Sequence, residues 1–143
     1  LYGYDNFICD TSGSICEVVD PEDPSDPVLS SLADQVLMVW IKGSDAHTNE
    51  LIRRFDADPK PMCYRPDFLR AAWSEYLSET DIAEDKVDPD AYISWTYARA
   101  LTHRAPRYAA MAKNWGITVS ADDVVKIRTE ADMIDMIARA LPS

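Results

Sequence analysis

A chain of 143 residues that is 47% hydrophobic and 27% charged has the size and mixture of one small globular domain. Four Trp, seven Tyr and three Phe exclude a disordered acidic tail, because such chains lack the aromatic residues whose burial offsets the entropy of ordering. The longest apolar run, residues 36–41 (VLMVWI), falls far short of the about 20 residues that span a bilayer. A formal charge of −11 repels phosphate and anionic lipid, which makes nucleic acid and membrane surfaces poor partners.

The first residue is Leu and no secretory or transit segment is visible, so the expectation is a chain either processed from a precursor or trimmed. Residues 1–27 read as an extended arm or linker, since Pro21, Pro24 and Pro27 forbid regular helix or central strand. Its acidic residues lack the glycine and spacing of a calcium loop. Tyr2, Tyr4, Phe7 and Ile8 form an aromatic and apolar patch that needs a surface to lie on, and they are candidate interaction residues. Cys9 and Cys16 flank a Thr-Ser-Gly-Ser turn. Their spacing fits a disulfide in an oxidising compartment and equally two free thiols in a reducing one. Cys63 stands alone, and no second ligand pair completes a zinc site, so no metal is expected.

Residues 28–65 read as a helical extension. Leu29, Leu32, Val36, Val39 and Trp40 recur at helical spacing, with Ser30 or Ser31 as cap and Gly43 at the exit. The run at 36–41 would also suit a short core strand, but no second strand of comparable quality stands out to pair with it. After Ser44 a shorter amphipathic stretch sets Leu51, Ile52 and Phe55 against Glu50, Arg53 and Arg54, and it ends before Asp58-Pro59. Pro66 opens the next helix in its first turn.

From there the chain shows a helix at 68–77, an acidic loop ending in Pro89-Asp90-Ala91, an Asn114-Trp115-Gly116-Ile117-Thr118-Val119 turn, an Asp122-Asp123 pair after the cap Ser120, and Lys126-Ile127-Arg128-Thr129 leading into a last helix at 130–141. This order resembles acyl carrier proteins over residues 66–141. The resemblance implies four short helices and, on the second of them, a serine that carries phosphopantetheine. Leu101 occupies that position, and leucine has no oxygen to esterify. The same helix presents an acidic docking face in the family, whereas here His103, Arg104, Arg107 and Lys113 make it basic, with Pro106 in a late-starting first turn. Tyr108, Met111, Ala112 and Trp115 share a face expected to pack on the last helix and on Trp73 and Leu77.

No other chemistry takes its place. His47 and His103 lie far apart, Cys63 has no orienting group, and four glycines form no phosphate loop. The expectation is an all-α protein: arm 1–27, helical extension 28–65 and carrier-like domain 66–143. It is non-catalytic and without cofactor, and it binds and bridges other proteins as a structural or adaptor subunit. The resemblance implies an organellar host, a plastid or mitochondrial photosynthetic or respiratory complex, to which such a subunit is peripheral. The alternatives are an acidic inhibitor of immunity type and an acyl carrier with a displaced attachment site.

Overall fold

The computed structural model describes Gly3 and residues 6–142. It is mostly helical, with one small sheet. A 3-10 turn at Gly13–Glu17 precedes the first helix, α1 (Pro27–Ala33). The Asp26 carboxylate starts α1 by accepting from the N–H groups of Val28 at 3.0 Å and Leu29 at 2.9 Å, and Pro27 supplies the preset first turn.

Here the sequence expectation needs correction. The helix ends at Ala33, and Met38–Lys42 is strand β1, hydrogen-bonded in parallel to β2 (Gly116–Ser120) from Met38↔Gly116 to Lys42↔Ser120. Strands of a parallel sheet are covered on both faces and read as continuous apolar runs, so the period that distinguishes strand from helix is missing from 36–41. The partner strand lies in the segment expected to form a turn. Gly116 permits the pairing: a Cβ there would sit 2.2 Å from the Met38 carbonyl oxygen.

Helix α2 (Asp45–Ala57) begins with a capping box between Ser44 and His47, and α3 (Pro66–Thr80) begins at the expected proline. Helix α4 (Pro89–Trp115) starts earlier than the expected second helix: it runs for 27 residues through Pro106, and Leu101 lies mid-helix rather than at a start. The described part of residues 66–143 does hold four α-helices, but the second of them is long rather than short. The last helices, α5 (Ala121–Val124) and α6 (Glu130–Ala140), carry the expected caps, with Ser120 accepting from Asp122 N–H at 3.1 Å and Thr129 from Asp132 N–H at 3.2 Å.

The sheet is the middle of three layers. Register puts Val39, Ile41, Ile117 and Val119 on one face, where Ile117 and Val119 pack with Met136 of α6 and with Val124, Ile127 and Ile137. Trp40 points to the other face and meets Tyr108 of α4, with ring centroids 6.2 Å apart. Away from the sheet, Trp73 and Tyr76 of α3 meet Tyr92 and Trp95 of α4 edge-on, and Phe55 of α2 stacks on Tyr97 at 3.9 Å. Tyr108 and Trp115 thus face the sheet and the N-terminal segment, not Trp73 as expected.

Candidate interaction site

The N-terminal segment is bound to one stripe of α4. Arg104, Arg107, Tyr108 and Trp115 recur at three- and four-residue spacing and so share a helical face. Arg104 donates from Nε to Glu17 Oε1 at 2.5 Å, with both side chains almost wholly buried, and its other nitrogen donates to the Cys63 carbonyl. Arg107 donates to the carbonyls of Cys16 at 2.8 Å and Val19 at 2.6 Å. Tyr108 Oη donates to Gly13 O at 3.0 Å, and Asn114 and Trp115 both donate to Pro21 O. The second carboxylate oxygen of Glu17 accepts from Arg65 N–H at 3.2 Å, which ties the segment to the start of α3 as well.

Burial is the largest influence on Arg104 and works against its charge, but the hydrogen bond to Glu17 together with the neighbouring Tyr108, Glu17 and Cys16 more than offsets it, so the guanidinium pKa is raised. Burial also pushes the Cys16 thiol up, and it takes the Tyr64 phenol to about 12. These shifts come from packing rather than from a reactive constellation.

The expected interaction residues divide accordingly. Arg104 and Arg107 do not form a free basic docking face, because the segment before α1 consumes both, a correction to the sequence reading. His103 remains exposed and stacks on Phe68 at 4.6 Å, and Lys113 is exposed. Phe7 and Ile8 are exposed, while Tyr2 and Tyr4 lie outside the described residues. Cys9, Cys16 and Cys63 are free: Cys16 is fully buried and Cys9 exposed, so the disulfide considered from their spacing is not formed. Glu17 escaped notice in the sequence because its partner is 87 positions away; only the helical spacing of the two arginines hinted at a common target.

One arrangement resembles catalytic machinery. Ser44 Oγ lies 2.8 Å from His47 Nδ1, and His47 Nε2 lies 3.9 Å from Asp122 Oδ1, at the carboxyl ends of β1 and β2. Yet Nδ1 also accepts from the Ser44 backbone N–H at 3.1 Å, and the aspartate is beyond hydrogen-bond reach. This is a helix cap, and it offers no base for the serine. Two open grooves lie among the described residues. One of about 400 Å³ is bordered by Arg53, Arg54 and Lys60 over Phe55 and Tyr97, but Glu50 holds both arginines. The other, about 660 Å³, lies between α2, α3 and α4. Among the described residues no group of three His, Cys, Asp or Glu could hold a metal, and no helix is long and apolar enough to cross a membrane.

The remaining feature is an unfinished sheet. On the α6 face, Ile117 and Val119 of β2 are 4% and 5% exposed, while Ile41 of β1 on the same face is 52% exposed. Val36 and Leu37, leading into β1, are 46% and 44% exposed. Helix α6 covers β2, and Val39 of β1 reaches the same cluster, while Ile41 stands out from it half-exposed. No family model matches the chain, and neither the curated proteins nor the solved structures contain a match.

Proposed function

We propose that this protein is a non-catalytic, protein-binding subunit that works by joining its partner along the open side of β1. The supporting observation is that Val36, Leu37 and Ile41 stand half-exposed beside a strand whose Ile117 and Val119 are buried. Scattered apolar residues on a surface need no explanation, whereas half-exposed apolar residues on and leading into an unpaired strand edge mark an interface. The Ser44 and His47 cap and the arginines held by Glu50 leave little to support an enzyme.

This reading does not depend on the resemblance of residues 66–141 to acyl carrier proteins. If that resemblance reflects kinship, Leu101 in the middle of α4 makes the chain a scaffold that has lost its prosthetic arm.

The test is capture of partners by immobilised protein from its native host extract, comparing the unmodified chain with Leu37→Asp and Ile41→Lys and with Glu84→Lys on the distant acidic loop. We expect the edge substitutions to abolish capture and the loop substitution to leave it intact. Capture should also survive high salt, since apolar burial is not screened; steep loss with salt would instead identify an acidic inhibitor.

A further inference from the structure

We infer that the partner element at this site is a single apolar β-strand, supplied by polypeptide outside these 143 residues, which lies parallel to β1 and makes the sheet three-stranded. The inference rests on the protein-binding reading above and specifies what is bound.

The first ground is the backbone. A strand paired on one side only turns the N–H and C=O groups of alternate residues outward, and among the described residues β1 is paired only with β2. Protected edges carry charges, proline or a bulge. Within Met38–Lys42 the sole charge is Lys42 at the end, and its ammonium lies over the Trp40 ring at 5.9 Å. At β2 the exposed side chains are Thr118 and Ser120, both polar, so the two edges are not equivalent.

The second ground is the layer arrangement. Parallel strands occur almost exclusively in sheets covered by helices on both faces, and a two-stranded sheet is marginal by itself. Here α4 and α6 supply the two covering layers, and the side chains of Val39 and Ile41 extend the Ile117, Val119 and Met136 cluster past the limit of α6. A Val/Ile-rich strand beside β1 continues that cluster without rearranging it. A helix would cover the apolar side chains and leave the outward N–H and C=O groups unpaired.

The third ground is charge, which argues against a second copy. Each copy carries −11, and a two-fold dimer through this edge would set β1 antiparallel to its mate and bring together two chains of the same strong net charge. The strand therefore comes from a different sequence, apolar in its centre and neutral or basic at its ends.

The probe is a synthetic peptide of roughly eight alternating Val and Ile residues with a Lys at each end, long enough to match a typical strand. Amide exchange by NMR is followed on the full chain with and without millimolar peptide. We expect alternate amides of 38–42 to gain roughly tenfold protection. Cross-relaxation between peptide and β1 should show parallel register, and both effects should vanish in Ile41→Lys or with a peptide carrying Pro at alternate positions. No protection at millimolar peptide, antiparallel register, or protection without peptide accompanied by a dimeric mass would each overturn the inference. Failure of the wider reading looks different: if Ile41→Lys still captures the native partner, the protein-binding site is elsewhere. If Ile41→Lys loses the partner but β1 amides stay unprotected in the native complex, only the strand inference falls.

Discussion

Arg104 and Glu17 meet at 2.5 Å across 87 residues of sequence, and neither side chain reaches solvent. A buried pair of this kind need not stabilise more than two apolar residues would, but removing one member leaves an uncompensated charge. We therefore expect Glu17→Met or Arg104→Met alone to cost about 3–5 kcal/mol, and the double substitution Glu17→Met with Arg104→Met to cost much less than the sum. Urea unfolding midpoints of the four proteins decide this. Additive losses would mean that the two groups do not act as a unit.

Gly116 is the point of closest approach between the strands. Its φ is extended and needs no glycine; the missing Cβ does, because the 2.2 Å contact would be with the Met38 backbone, which cannot swing aside. Gly116→Ala should cost about 1–3 kcal/mol, as overpacking does, and should weaken the β1–β2 amide protection. Unchanged protection would show that the strands accommodate the methyl group.

Glu50 accepts hydrogen bonds first from Arg53 and then from Arg54, which hold its pKa down at about 2 against an ordinary 4.5. A lowered folded-state pKa contributes stability that is present above pH 4.5 and lost as pH falls toward 2. Carbon-detected titration should place the Glu50 carboxyl midpoint well below those of unpaired glutamates, and Arg53→Gln should move it upward. A normal midpoint in the unmodified protein would remove the pairing.

Cys16 is fully buried, and burial raises its pKa, so its thiolate is scarce. Iodoacetamide under native conditions should modify the exposed Cys9 and Cys63 quickly and Cys16 only after urea is added. Rapid native labelling of Cys16 would mean that the segment at Gly13–Glu17 lifts off α4.

Much of the local structure was legible in the sequence. Pro66, Ser120 and Thr129 announce helix starts by capping chemistry, and the boundary at Asp58-Pro59 follows from proline sterics alone. What could not be read depends on contacts distant in sequence. The 36–41 run is compatible with helix and strand until Gly116–Ser120 is brought beside it, and Pro106 falsely suggested a helix start because its position inside α4 is tolerated at a cost the sequence does not display. The candidate site was missed for the same reason. Arg104 and Arg107 look like a docking face until Glu17 and the carbonyls of Cys16 and Val19 are seen to occupy them, and the open edge of β1 exists only once the sheet does.

The central claim is that the exposed side of β1 is an interface, and amide exchange on β1 within the native complex tests it most directly. We expect the outward-facing amides of 38–42 to exchange at nearly unprotected rates in the isolated chain and to become slow when the captured partner is bound, while Ile117 and Val119 are slow in both. Equal exchange of the β1 amides in the free and bound protein would contradict it.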